Sequence, residues 1–211
     1  MPEGRSRNES MRPRSAWLAG CVISAVVTIG AAPGAWATTY KIDPDHSTVS
    51  FKVRHLVSYV RGTFDQFEGT FTYVPDHPEQ WNAGAIIQAA SINTKVPERD
   101  KHLRSKDFFS VEQYPTLTFK STEATDVTPT SAKLHGILSL HGLEKPVVLE
   151  VAIHGEAKDP WGNLRSGFTA TMTLNRKDFG IKWNKALETG QLLVGDEVEV
   201  ILEIEGLAGS T

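Results

Sequence analysis

Residues 196–205 read Asp-Glu-Val-Glu-Val-Ile-Leu-Glu-Ile-Glu, and this stretch decides the fold. Its apolar and mostly acidic side chains alternate, so that Val198, Val200, Leu202 and Ile204 share one face. Side chains two residues apart point to the same side of a β-strand, whereas a helix repeats every three to four residues. The stretch is therefore predicted to be a strand with one apolar face and one solvated face.

The alternation recurs along most of the chain after residue 40, with short intervals between the periodic segments. A skipped phase between Phe64 and Phe67 predicts a bulge or bend. The four residues His141-Gly142-Leu143-Glu144 are short enough to form a hairpin. Pro97 and the charged residues after it predict a helix over residues 97–110 that covers an end or a side of the strands. Further strands are predicted over residues 47–55, 61–74, 83–93, 116–122, 132–140, 145–154 and 166–174.

About eight strands joined by short turns predict an all-β fold, an antiparallel barrel with one or two short helices. Closing the sheet removes its unpaired edges. A barrel of this size is either filled by its own side chains or holds one small ligand. Bulky Phe51 and Phe168 favour a filled interior, whereas Gly136 and Ala170 leave room. Composition leaves both interiors open.

The first 37 residues have the pattern of a secretory signal peptide. Several arginines precede an uncharged run over residues 16–32, and Ala35-Trp36-Ala37 offers small residues at a cleavage site. The sequence Leu18-Ala19-Gly20-Cys21 resembles a lipobox, but most of the apolar run follows this cysteine, so cleavage near Ala37 is favoured over lipidation at Cys21. We expect a leader over residues 1–37, a barrel domain over residues 38–211 and a periplasmic location.

The charge balance argues against partners that are attracted by an overall positive charge. The chain has 22 basic and 25 acidic residues. The leader contains four of the basic and two of the acidic ones, which leaves 18 against 23 and a net charge of −5. Such a surface does not attract nucleic acid or an anionic membrane by bulk charge. Cys21 is the only cysteine, so a protein cleaved near Ala37 contains no disulfide.

The sequence contains no recognisable catalytic or metal-binding motif: GxSxG, HExxH and the P-loop pattern are all absent. Asp45-His46-Ser47 has the residue types of a triad, but successive side chains on a strand point to opposite faces. The seven histidines have no metal-ligand spacing. We therefore predict no catalytic residues, no metal and no catalytic cofactor.

The order of residues along the mature chain resembles the YceI-like periplasmic proteins. The resemblance begins with Tyr-Lys-Ile-Asp-Pro-Asp-His-Ser at residues 40–47 and continues with Gly-Thr-Phe-Asp-Gln-Phe-Glu-Gly at 62–69. It extends through residues 91–94, 100–109, 114–119 and 136–142 to Leu-Asn-Arg-Lys-Asp-Phe-Gly-Ile at 174–181. It thus spans nearly the whole mature chain in order.

The resemblance implies a lipocalin-like barrel whose apolar pore binds a polyisoprenoid tail. The expected ligand is an isoprenoid quinone, a prenyl pyrophosphate or a similar long lipid, held for transport, storage or stress protection. Transient membrane contact and a homodimer stay open. Two alternatives also stay open: an enzyme that acts on its lipid through His55 or His102, and a structural or interaction barrel with a filled core.

Particular residues are candidates for contact with such a lipid. The basic group on the predicted helix, Arg99, His102 and Arg104, is a candidate for the head group, the alternative being a solvated helix face. Each apolar candidate is equally well explained as ordinary core. By the inward phase of the strands, the candidates that line the pore are Phe51, Val53, Phe64, Phe71, Phe119, Leu138, Leu140, Leu149, Phe168, Met172, Val200 and Leu202.

Overall fold

A single antiparallel sheet of eleven strand segments contains most of the residues that the structure describes. The structure, a computed structural model, describes residues 37–188 and 192–209, so Cys21 and the predicted leader up to residue 36 lie outside the described residues. Within the described ranges, no helix is long and apolar enough to cross a membrane. The segments are β1 (Thr38–Ile42), β2 (Thr48–His55), β3 (Ser58–Phe64), β4 (Phe67–Tyr73), β5 (Asn82–Gln88), β6 (Ile92–Asn93), β7 (Thr116–Thr125), β8 (Ser131–Leu140), β9 (Leu143–Lys158), β10 (Leu164–Asn175) and β11 (Val194–Ala208).

The sheet closes into a barrel of eight strands, as the sequence predicts. Three pairs of segments each act as one interrupted strand: β1 with β2, β3 with β4, and β5 with β6. Both β1 and β2 pair with β11, while β4 and β3 continue along their other side. When each interrupted strand is counted once, every strand pairs with its sequence neighbours, and the pairing of β11 with β1 and β2 closes the ring.

The interruptions lie where local sequence disrupts the strand pattern. β3 ends at Phe64 and β4 begins at Phe67, which confirms the predicted bend. The single strand predicted over residues 83–93 is wrong, because a 3₁₀ turn at Ala89–Ser91 separates β5 from β6. His141 and Gly142 form the predicted hairpin, both with positive φ, 53° and 74°, as a type I′ turn requires.

Among the described residues one α-helix, α1 (Pro97–Arg104), lies between β6 and β7. It is shorter than the helix predicted over residues 97–110, because Ser105 is already extended, with ψ of 172°. The turns that follow bring Phe109 onto the barrel, where its ring meets Phe64 edge to face at 5.6 Å. The end of the barrel that carries α1, the His141–Gly142 turn and the β10–β11 connection is called the α1 end below.

The core consists of two apolar clusters, one towards each end of the barrel. The cluster at the α1 end includes Phe64, Leu140, Phe179 and Ile181 and is joined by Phe109 from beyond α1. The cluster at the opposite end contains the buried residues Tyr40, Ile42, Phe71, Tyr73, Ala132 and Ile153.

A network of ion pairs links the segment between β1 and β2 to the rest of the barrel. The Nη1 of Arg165 on β10 lies 2.8 Å from Asp43 and 2.6 Å from Glu205 on β11. Its Nε donates to Asp159 at 3.1 Å. The hydrogen bond from Arg165 lowers the pKa of Asp43. Hydrogen bonds from Asn163, and then from Arg165, lower the pKa of Asp159 to about 2.

This network predicts that Arg165→Met destabilises the protein in a pH-dependent way. A carboxyl group whose pKa is lowered in the folded state stabilises that state above its ordinary pKa near 4, and the contribution is lost as pH falls through the folded value. We expect Arg165→Met to lower the Tm by a few degrees at pH 7, and the difference from wild type to shrink between about pH 4 and pH 2.

Thermal unfolding followed by circular dichroism measures this difference. The matched control is Lys101→Met, which removes an exposed cation from α1 and should leave the Tm nearly unchanged at every pH. A Tm difference for Arg165→Met that stays constant down to pH 2 would contradict the role of the three carboxylates.

Candidate ligand-binding cavity

The barrel is hollow between its two apolar clusters. The cavity has a volume of about 240 Å³. Arg176 is the only charged side chain among the described residues that line it, and Ser50, Thr70, Thr72 and Asn82 are polar. The interior is therefore hollow and not filled by its own side chains, and its lining favours an apolar molecule.

Alternation along the strands identifies most of the lining correctly. Val53 is the exception: it pairs with Val60 and Val198 where β2 continues past the cavity towards the β2–β3 turn, and it is not among the described lining residues. Contact with a ligand stays a prediction for all twelve candidates. The eleven that line the cavity are Phe51, Phe64, Phe71, Phe119, Leu138, Leu140, Leu149, Phe168, Met172, Val200 and Leu202.

Glycines on neighbouring strands let aromatic rings lie against the inner wall. Phe51 pairs with Gly62, and a Cβ at Gly62 would overlap its ring. Gly136 lies in the same way under the ring of Phe119. Because glycine has no side chain, the rings occupy the space next to the wall and leave the axis of the barrel free.

Arg176 brings a positive charge to the α1 end of the cavity. It lies in a 3₁₀ turn after β10 and is 4% exposed. Nη1 donates to the carbonyls of Ile181 and Trp183 at 2.8 Å, Nε donates to that of Gly195 at 2.8 Å, and Nη2 lies 3.3 Å from Asp196. Burial lowers the pKa of Arg176. Its hydrogen bonds hold the β10–β11 connection across this end.

At the opposite end, the Tyr40 hydroxyl donates to the Glu156 carboxylate. A register shift between β9 and β10 places Glu156 opposite the buried Ser166, which turns its side chain towards Tyr40. Burial, and then the hydrogen bond to Glu156, raise the pKa of Tyr40 above its ordinary value of 10. The Tyr40 ring stacks on Phe71 at 5.0 Å. This end therefore combines apolar packing with one charge-assisted hydrogen bond.

The three predicted head-group residues lie near α1 but are not among the cavity-lining residues described. Arg99 donates to the side chain and the carbonyl of Thr94 at 2.7 and 2.8 Å. Arg104 donates to the carbonyls of Ala90 and Ile92, both at 2.7 Å. His102 lies 2.9 Å from Asp107. These contacts give the residues a structural role, and contact with a head group stays a prediction.

Titratable groups outside the cavity are held in local hydrogen bonds. His46 bonds to Asp43 rather than to its neighbour Ser47, whose hydroxyl donates to the Glu205 carbonyl. Within the described ranges, possible ligand atoms of Asp43, His46 and Glu205 lie within 4.8 Å of one another. Arg165 already bridges the two carboxylates, so a cation is present where a metal ion would have to bind.

Sequence reasoning missed several lining residues. Val49, Trp81, Phe109, Ile181 and Arg176 line the cavity. Four of them lie on turns or connections, where period two gives no information. Val49 is on the inward phase of β2 with Phe51, so the alternation was sufficient to find it.

Comparison with known proteins gives family and fold matches over most of the chain. The model of the YceI-like domain family matches residues 40–206. A relative from Pseudomonas savastanoi pv. phaseolicola, called UPF0312 protein, is 44% identical over 151 residues, which cover 70% of this chain and 79% of the relative.

Two solved structures have the same fold. The structure of Burkholderia cenocepacia BcnA is 21% identical with a TM-score of 0.68, covering 78% of this chain and 98% of its own. A domain from Saccharophagus degradans described as polyisoprenoid-binding is 15% identical with a TM-score of 0.59, covering 81% of this chain and 98% of its own.

The ring-over-glycine arrangement predicts that Gly136→Ala disturbs the lumen. The added methyl group forces the Phe119 ring inwards, and overpacking of this kind costs about 1–3 kcal/mol of unfolding free energy. The matched control is Gly167→Ala on β10, where the nearest atom to a new Cβ is 3.7 Å away and the change should stay within about 0.5 kcal/mol.

Urea unfolding measures both free energies. Equal stability of the two variants would contradict the proposed contact between Gly136 and the Phe119 ring.

Proposed function

Because this chain belongs to the YceI-like domain family, we propose that it is an exported, non-enzymatic protein that binds a long isoprenoid lipid inside its barrel. The observation that carries the proposal is the apolar cavity inside the barrel, whose described lining contains one charged side chain. The described side chains next to the cavity include no nucleophile paired with a general base, so binding accounts for the site better than catalysis does.

An isoprenoid tail matches the chemistry of this lining. The tail has no hydrogen-bonding groups, so its affinity comes from buried apolar area, about 0.8 kcal/mol for each methylene-sized unit. The Saccharophagus domain has the same fold and is described as polyisoprenoid-binding, and the proposal extends that ligand class to this chain. An isoprenoid quinone or a prenyl pyrophosphate would satisfy it.

The cavity volume places a condition on binding. About 240 Å³ lies just below the range of about 300–1,000 Å³ that ligand pockets span. A tail of several isoprene units therefore requires lining side chains to reorient. Phe51 and Phe119, whose rings lie over glycines, are the side chains that we propose reorient.

The proposed role follows from the low solubility of an isoprenoid lipid in water. A lipid enclosed in a barrel can cross an aqueous compartment, so the protein would act in transport, storage or protection of its ligand in the periplasm. The leader predicted over residues 1–37 supports export.

The proposal predicts that protein purified from its own host contains a bound lipid. Native mass spectrometry should show a noncovalent adduct that solvent extraction removes, and the mass of the extract identifies tail and head group. Trp81 lines the cavity, so quinone binding should also quench tryptophan fluorescence. Ligand-free protein that takes up no isoprenoid in vitro would contradict the proposal.

It also predicts that Ala170→Leu blocks the lumen. Ala170 lies midway along β10, where it lines the cavity between Val151 and Leu202. The larger side chain should fill the bore and weaken isoprenoid binding at least tenfold, on the order of the loss of two buried methylene units, with the Tm unchanged or raised.

The control for this variant is Thr173→Leu, which adds a leucine to the exposed face of the same strand and should bind as wild type does. Fluorescence titration compares the three proteins. Wild-type affinity in Ala170→Leu would place the ligand outside the barrel.

A further inference from the structure

The turn between β2 and β3 projects apolar side chains into solvent at the α1 end. Val57 is 89% exposed, Leu56 39% and Tyr59 51%, while Leu192 on the adjacent β10–β11 connection is 48% exposed. Scattered exposed apolar residues are normal on soluble proteins. These four are different because they gather on the β2–β3 hairpin and on the adjacent β10–β11 connection, which the hydrogen bond from Leu56 to Leu193 joins.

Specific contacts fix the apolar turn in place. The Leu56 N–H donates to the Leu193 carbonyl at 3.1 Å, and the Leu193 N–H donates to the Lys185 carbonyl at 2.9 Å. Leu56 has a positive φ of 50°, an unfavourable conformation for leucine. The Nε of Arg54 donates to the Leu56 carbonyl at 2.8 Å. The turn is therefore held in a costly backbone conformation that exposes Val57.

Cations surround this turn on the outer face of the hairpin. Lys52 pairs with Arg61 across the strands, and Arg54 pairs with Tyr59. The Lys52 ammonium and the Arg54 guanidinium lie 4.8 and 5.2 Å from the centre of the Tyr59 ring.

The acidic neighbours on β11 only partly offset these charges. Glu199 pairs with Lys52 at 2.6 Å, and Glu197 is exposed nearby. Three cations thus gather at one end of a chain whose formal net charge is −3.

We propose that this surface docks the protein on an anionic lipid bilayer. The surface, called the docking tip, consists of Leu56, Val57, Tyr59 and Leu192 together with Lys52, Arg54 and Arg61. Aliphatic residues that enter the acyl boundary, an aromatic ring at the headgroup level and cations that meet lipid phosphates together characterise interfacial membrane binding. The positive local charge complements an anionic surface even though the whole chain is acidic.

The docking tip lies next to one end of the cavity. Val198 lines the cavity and pairs with Val53, two residues before the end of β2 at His55. A protein anchored by the docking tip would therefore hold the α1 end of its lumen against the membrane.

Vesicle co-flotation of the full mature chain tests the proposal with lipids that contain no isoprenoid, so the result does not depend on the proposed function. Binding is expected to phosphatidylglycerol vesicles and to be much weaker to phosphatidylcholine vesicles. Val57→Asp should lower the partition coefficient about tenfold or more. Arg61→Ser should lower it about fivefold. The matched control is Trp161→Asp, an 82% exposed apolar residue in the β9–β10 turn at the opposite end, which should bind as wild type does.

Three results would overturn the proposal: no binding to phosphatidylglycerol vesicles, full binding by Val57→Asp, or loss of binding by Trp161→Asp. A dimer in light scattering that Val57→Asp dissociates, without vesicle binding by the wild type, would instead identify the surface as a contact between two copies of this chain.

Circular dichroism and isoprenoid binding in detergent should be unchanged in Val57→Asp, which separates loss of docking from loss of fold or of the cavity. As an independent measurement, Val57→Trp should be quenched by brominated lipids in phosphatidylglycerol vesicles, and absence of quenching contradicts insertion.

Discussion

The pairing of β11 with β10 on one side and with β1 and β2 on the other is the constraint on which the structure depends. Because a closed sheet has no edge, its backbone groups find partners along the whole ring. Closure also forces every second side chain inwards, so the apolar face of β11 must form part of a lumen. The first strand bends at residues 43–47 to meet both halves of β11, and Arg165 neutralises the acidic groups gathered at that bend.

The sequence predicts those parts of the barrel that depend on local periodicity. Eleven of twelve proposed lining residues face the cavity, since alternation is a property of each strand alone. The polar residues at the two ends could not be found in this way. Arg176 lies on a 3₁₀ turn, where period two has ended, and Glu156 reaches Tyr40 only because a register shift inverts the phase of β9. Alternation and short turns predicted the antiparallel barrel, and the family resemblance predicted its lipocalin-like pore, whereas the volume of the lumen depends on how rings pack between strands distant in sequence.

The two ends of the barrel differ in chemistry. The α1 end combines the buried Arg176 with an exposed hairpin turn surrounded by cations. The opposite end carries the Tyr40–Glu156 hydrogen bond, with the network of Arg165 and its carboxylates nearby. Because the ends differ, a lipid head group would meet different partners according to the direction in which the tail enters. The two ends of the lumen are therefore chemically distinct, even though its wall is almost uniformly apolar.

The aromatic rings that lie over Gly62 and Gly136 allow the width of the lumen to vary independently of the number and pairing of the strands. In most barrels the bore is set by the number of strands and their stagger, which cannot change by a single mutation. Here the aromatic ring that packs over a glycine sets the local width of the lumen, while the number of strands stays fixed. Exchanging one such pair would change the width of the lumen by a few atoms without changing the number of strands, so one scaffold can be fitted to tails of different thickness.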